Sequence, residues 1–174
     1  GLSVDKFAIY DDSNYPPEVT VTTPRAALAL SYPMTRTTAR GATHYLEPVV
    51  QLGWSNVHGG SVPNDESAFV EFDQGNLLAL SRFPSVDRRE DGPTLVYGLN
   101  WSRYGPGGWQ ALATIGQVFR KTADATFTET SGLSGTSSDL LLAGQLKLDK
   151  GLSLTGRALL NGDLSFSKVA MRGD

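Results

Sequence analysis

The sequence predicts an all-β chain, an antiparallel up-and-down meander, and three observations point that way. Gly and Pro, at 19 and 9 of 174 residues, punctuate the chain with turns. Apolar residues recur at a spacing of two along much of its length, which is the strand period. Polar stretches rich in Gly, Ser, Thr, Asn and Asp separate those alternating runs.

Taken in order, Ser3 to Ile9 reads as a strand, followed by a loop through Tyr15-Pro16-Pro17. Arg25 to Tyr32 sets Ala26, Leu28, Leu30 and Tyr32 against Ala27, Ala29 and Ser31. A helix there has room for only two turns between Pro24 and Pro33. Tyr45 to Trp54 is a further strand, with Leu46, Val50, Leu52 and Trp54 on one side and Tyr45, Glu47, Val49 and Gln51 on the other. Pro48 inside it cannot donate a ladder hydrogen bond, which predicts an edge or a bulge.

Farther on, Leu95, Tyr97, Leu99 and Trp101 alternate with Val96, Gly98, Asn100 and Ser102. The chain turns at Tyr104-Gly105-Pro106-Gly107-Gly108 and returns from Trp109 to Phe119. Leu140, Leu142, Gly144, Leu146 and Leu148 then oppose Leu141, Ala143, Gln145, Lys147 and Asp149. Turns at Asp149-Lys150-Gly151 and Asn161-Gly162-Asp163 join this strand to Leu152–Leu160 and to a third beginning at Leu164. The stretches 55–67 and 121–137 read as long polar loops. Long loops on one rim and short turns on the other is the asymmetry of transmembrane barrels, although the 149–151 and 161–163 turns are both short and fall at opposite ends. Trp101, Tyr104 and Trp109 at strand ends suit an interfacial girdle or, equally, cross-strand aromatic pairing.

Composition excludes several classes. Charged residues make up 19% and apolar ones 40%, which fits neither a disordered tail nor a helical membrane protein. A formal charge of -3 argues against a nucleic-acid partner. No run approaches the ~20 apolar residues of a spanning helix, but a spanning strand needs only ~9–11. With no Cys, the chain holds no disulfide and no thiolate metal site. It begins Gly1-Leu2-Ser3 without a Met and ends in Arg172-Gly173-Asp174, so residues 1–174 are expected to be one segment with both ends cut.

A series of short motifs runs from Tyr45 to Leu99. Tyr45-Leu46-Glu47-Pro48-Val49-Val50-Gln51 comes first, then Phe72-Asp73 and Asn76-Leu77-Leu78. Ser81-Arg82-Phe83-Pro84-Ser85-Val86-Asp87-Arg88 follows, then Glu90-Asp91-Gly92 and Tyr97-Gly98-Leu99. In order and spacing the series resembles the LptD (organic-solvent-tolerance) family of lipopolysaccharide-assembly proteins. The family's strand with Glu-Pro followed by Gln matches Glu47, Pro48 and Gln51. Its Asn-Arg-Phe-Ser-Gly-x-Asp-Arg run matches at Arg82, Phe83, Asp87 and Arg88, with Ser81 in place of the Asn and Pro84-Ser85 in place of Ser-Gly.

The resemblance implies a section of a large antiparallel barrel in the outer membrane of a Gram-negative bacterium. It implies a translocon that inserts lipopolysaccharide into the outer leaflet, breaks no bond and uses no cofactor. The implied partners are lipopolysaccharide, an LptE-type lipoprotein plug, the periplasmic transport bridge and outer-membrane lipid. Two other readings stay open on periodicity alone: a complete small barrel acting as an adhesin or structural protein, and a soluble carbohydrate-binding β-sandwich. They separate on the orientation of Leu95, Tyr97, Leu99 and Trp101, outward in a barrel wall and inward in a sandwich.

The densest charge cluster is Asp87-Arg88-Arg89-Glu90-Asp91. Its charges largely neutralise one another, as expected of a solvated or lumen-facing loop. Arg88 and Arg89 are also candidates for contact with lipopolysaccharide phosphates, which guanidinium groups bind bidentately. His44 and His58 are the two histidines, and their separation in the sequence argues against a metal site. No Gly-x-Ser-x-Gly elbow and no phosphate-cradling Gly-Lys-Ser loop is present.

Overall fold

A computed structural model describes residues 1–10, 12–64 and 66–174. Its strands are β1 (Leu2–Ala8), β2 (Glu18–Ser31), β3 (Met34–Thr37), β4 (Thr43–Ser55) and β5 (His58–Gly59), then β6 (Gly92–Tyr104), β7 (Gln110–Arg120), β8 (Leu140–Lys147), β9 (Ser153–Leu160) and β10 (Phe166–Gly173). The order in the sheet is β1-β2-β4-β6-β7-β8-β9-β10, with β3 on β4 and β5 on β2. Every pairing is antiparallel, so the fold is the meander that the alternation predicts.

Register decides what each face carries, because residues directly opposite share a face. Leu52 pairs with Leu95, Val50 with Tyr97 and Leu46 with Trp101; Gln51 pairs with Val96, Val49 with Gly98 and Glu47 with Asn100. The same parity continues through β7, where Leu99 pairs with Ile115 and Val96 with Val118. It continues into β8 and β9, where Leu142 pairs with Ala158 and Leu141 with Leu159.

The first face is open and apolar. Leu95, Tyr97 and Leu99 are 39%, 39% and 36% exposed, and Leu28, Leu52 and Met171 more so. They point outward as a band, away from any packed core. A soluble sandwich buries such a face, so within this chain the arrangement is that of a barrel wall. Trp54 and Trp101 mark the two ends of the band. Their level on β4 runs from Leu46 to Trp54, roughly 27 Å at ~3.4 Å per residue. A strand tilted as in membrane barrels spans a band ~25 Å tall with aromatics at both margins.

The two rims differ. At one rim lie the tight connections 38–42, 105–109 and 148–152; at the other lie the long segments 60–91 and 121–139 and the short turn 161–165. Beyond the long-loop rim, β2 continues as Glu18–Pro24, paired with β1 on one side and with β5 on the other. There Val19, Val21 and Val62 form a small cluster with Phe7, Ile9 and Val57 against them.

Two expectations need correction. Pro48 is neither on an edge nor at a bulge, since β4 is paired along both sides and its register with β6 is unbroken. The missing N–H is accommodated on the other flank: the Pro48 carbonyl accepts from Tyr32 N–H at 3.1 Å, and the partner strand is interrupted there, between Ser31 and Met34. Proline has thus broken the neighbour's ladder rather than its own strand. The last strand also starts later than Leu164. That residue sits in the turn at a φ of 59°, while the Asn161 side chain accepts from the N–H groups of Asp163 and Ser165 at 3.1 and 3.0 Å.

Candidate functional site

The inner face gathers most of the motif residues into one place. Segment 60–91 leaves the long-loop rim and lies back over the inner face of β6 to β9. Its Phe72, Leu77 and Phe83 pack with Val96, Val118, Leu141 and Leu159 of the wall and with Phe127 and Leu133 of segment 121–139. This is the main core, built by two connecting segments and one side of a sheet. The stretch 121–137, expected to be a polar loop, is thus anchored by Phe127 and Leu133.

Glycines on the wall make the seat. Gly98 and Gly116 are direct partners on the inner face, and a Cβ at Gly116 would stand 2.5 Å from Leu77 Cδ2. At Gly98 the same addition would come within 3.2 Å of Leu77 and 3.1 Å of Val49. Gly53 clears Leu80 in the same way. Gln51 then ties the segment down from β4, donating through Nε2 to the Leu78 carbonyl at 2.9 Å.

A buried ion cluster closes the seat. Glu90 Oε1 accepts from Arg82 Nη1 at 2.8 Å and from the Arg82 backbone N–H at 2.9 Å, while Oε2 accepts from Arg120 Nε at 2.7 Å. Arg82 and Arg120 donate onward to the carbonyls of Leu77 and Leu133. The Glu90 carbonyl accepts from Ser55 Oγ at 2.7 Å. Phe83 stacks on Phe127 with ring centroids 4.4 Å apart, and the Arg120 guanidinium lies 4.8 Å from the Phe127 centroid. Burial pulls the Arg82 guanidinium below its ordinary range, and Glu90 opposes that pull. One carboxylate thus joins the loop to the far end of β7.

The rest of the charge run is also engaged. Asp87 accepts from the backbone N–H groups of Glu66 and Ser67 at 3.0 and 3.1 Å and from the Ser67 hydroxyl. Arg88 Nη2 donates to Thr126 Oγ1 at 2.7 Å, and Arg89 pairs with Asp5 at 3.0 Å. Asp91 accepts from Val57 N–H at 2.9 Å. Gly92 has a φ of 90°, a conformation in which a side chain would be strained, and it turns the segment into β6. Arg88 and Arg89 border a cavity of about 230 Å³ together with Asp87, Asp91 and Asp124.

Of the motif residues, Gln51, Arg82, Phe83, Glu90 and Gly98 converge on the docked loop, and Asp87, Arg88, Asp91 and Gly92 fix its base. Glu47 lies farther along the inner face, opposite Asn100. Tyr97 faces the other way, where its hydroxyl donates to Gln117 Oε1 at 2.8 Å. Sequence reasoning missed Arg120 and the part Gly116 plays in the seat, and also the outer anchor of the loop. In that anchor Arg157 donates to Glu71 at 2.6 Å and Lys168 pairs with the same carboxylate, which both hold below the usual carboxylate range. His44 and His58 do not meet, and among the described residues no group of three or more metal-ligating side chains gathers.

No curated protein matches the chain. The family model described as LPS transport system D matches residues 3–173. That match takes in the outward apolar band, the docked segment and the Arg82–Glu90–Arg120 cluster together. The chain belongs to the LptD family, proteins of lipopolysaccharide transport at the Gram-negative outer membrane.

Proposed function

We propose that residues 1–174 form one section of the barrel wall of the translocon that inserts lipopolysaccharide into the outer leaflet. The observation that carries this reading is the contrast between faces: an apolar band outside, and an inner face that a loop of the same chain covers on one half and that is mostly polar on the other. A lumen sealed in this way blocks free solvent flow while leaving a polar surface along which a sugar-bearing lipid can pass. The wall does no covalent chemistry; it orients and excludes. An LptE-type lipoprotein is the proposed occupant of the lumen, and the periplasmic bridge the proposed supplier.

Arg88 and Arg89 are the proposed contacts for lipopolysaccharide phosphates. Support comes from their place on the long-loop side, which in outer-membrane barrels is the outer side, and from the cavity they border. Guanidinium groups suit such phosphates. The test is fractionation of the full-length protein. It is expected to sediment with outer membrane and to co-purify with a lipoprotein, and recovery from the soluble periplasm without detergent would overturn the reading. A photo-crosslinker at Arg88 is expected to capture lipopolysaccharide, whereas one at Gln145 on the bare inner face near the tight turns serves as the comparison for the phosphate contact.

A further inference from the structure

At the tight-turn rim the outward face changes character. Arg36 on β3 pairs with His44 on β4, and His44 pairs with Arg103 on β6, so three basic side chains stand in one row across three strands. With neighbouring strands ~4.8 Å apart, the two arginines start roughly 10 Å from each other. A phosphate between them is within reach of both arms once Arg103 swings from its place over the Trp109 ring. Among the ion pairs of the described residues, none involves Arg36, His44 or Arg103. The Arg103 Nε is buried without a hydrogen-bond partner, and its guanidinium lies 4.6 Å from the Trp109 ring centroid.

The apolar band begins at the next pair on the same face, Leu46 and Trp101. Trp101 stands 6.0 Å from His44, and Arg36, His44, Leu46 and Trp101 border a groove of about 490 Å³. Cations above, indole in the middle and aliphatic side chains below match a phospholipid layer by layer: phosphate, glycerol level, acyl chains. Once lipid covers this face, cations left unpaired beside it are costly unless an anion meets them.

We propose that this row and groove bind the phosphate of a phospholipid in the leaflet at the tight-turn rim, with the acyl chains along the band. The proposal rests on the barrel-wall reading, which makes this face the lipid-facing one. Tight turns mark the periplasmic side of outer-membrane barrels, so the lipid is a phospholipid of the inner leaflet.

The experiment uses the full-length protein, delipidated in detergent and offered phosphatidylglycerol, a diacylglycerol of the same chains, or inorganic phosphate, with bound species read by native mass spectrometry. Phosphatidylglycerol is expected to be retained and diacylglycerol to be lost. The Arg36→Gln/Arg103→Gln double variant is expected to hold phosphatidylglycerol about thirtyfold more weakly, given two cations at their usual worth near an anionic lipid surface. Arg103→Lys is expected to keep most of the binding, and heat-modified gel mobility checks that each variant barrel has folded. Equal retention by the double variant, equal retention of diacylglycerol, or displacement by equimolar inorganic phosphate would each overturn the proposal. A bimane on Leu99→Cys, quenched by bromine on the acyl chains, tests the wall reading separately. Quenching with unchanged retention sinks the phosphate site alone, and absence of quenching sinks both.

Discussion

The inner face of β6 to β9 has two halves that differ in everything but the strands that build them. Toward the long-loop rim it carries Val96, Val118, Leu141 and Leu159, all at 0–1% exposure beneath the docked segment. Toward the tight-turn rim the same face carries Asn100, Thr114, Gln145 and Thr155, joined in part by side-chain bonds, Thr114 to Asn100 at 3.0 Å and Gln145 to Thr155 at 3.3 Å. Inward apolar residues are fully buried where the loop covers the wall; where it does not, the face is mostly polar and its one aliphatic side chain on β7, Leu112, is 39% exposed. The loop is therefore part of the wall's own packing. This face thus turns from buried apolar to mostly polar at the margin of the segment.

The sharpest way to break the contrast is to remove the charge that joins the halves of the seat. Glu90→Ala leaves Arg82 and Arg120 buried without their carboxylate, a loss of about 3–5 kcal/mol. Limited proteolysis of segment 60–91 is expected to become far faster, with the barrel strands still protected. Filling the glycine seat comes next. Gly116→Val drives side-chain atoms into Leu77 and toward the Tyr97 carbonyl, 2.9 Å from the ideal Cβ, for about 1–3 kcal/mol of overpacking. The same proteolysis measures it, and wild-type cleavage rates would show that Leu77 does not occupy the seat.

Acid is expected to act more gently, through Glu71. Its carboxyl is held low first by the Lys168 hydrogen bond and then by Arg157. A lowered folded-state pKa gives stability that is present above the unfolded value of ~4.3 and fades as pH falls through the folded one. Cleavage near Glu71 should therefore rise below about pH 4, and Glu71→Gln should remove that rise. The site is half open, so the effect is small. Smallest of all is Gln145→Leu on the bare half, expected within about 0.5 kcal/mol in thermal unfolding. A large loss there would mean that the bare half is packed after all.

Much of the wall was legible because strand alternation is local. The partition of Leu140, Leu142 and Leu146 from Leu141, Ala143 and Gln145 is the one the register imposes. Where reading failed, the cause lay on another strand. Pro48 was read from its own missing donor, but the consequence fell between Ser31 and Met34. Glu18–Pro24 alternates Val19 and Val21 with threonines, yet its partners are β1 and β5, one of them only two residues long. The docking of 60–91 was hidden for the same reason, since Glu90 meets Arg120 and Leu77 meets Gly98 and Gly116 across the fold. The available signal was the pair of glycines in neighbouring strands on the inward parity. The motif residues marked the right region, and a lumen-facing loop was among the expectations for 87–91, but the residues it docks on lay on other strands.

The tether at Glu90 also bears on the order of assembly. The carboxylate sits just before β6, but its second arginine closes β7, and the outer anchors Arg157 and Lys168 lie on β9 and β10. Contacts so distant in sequence form late, after the hairpins that bring their partners near. Segment 60–91 is made before most of its seat exists, so it can settle only when the neighbouring hairpins have been added. Its protection from protease is thus a clock for wall completion: a cut segment reports an unfinished barrel, and an intact one a wall built at least as far as β10.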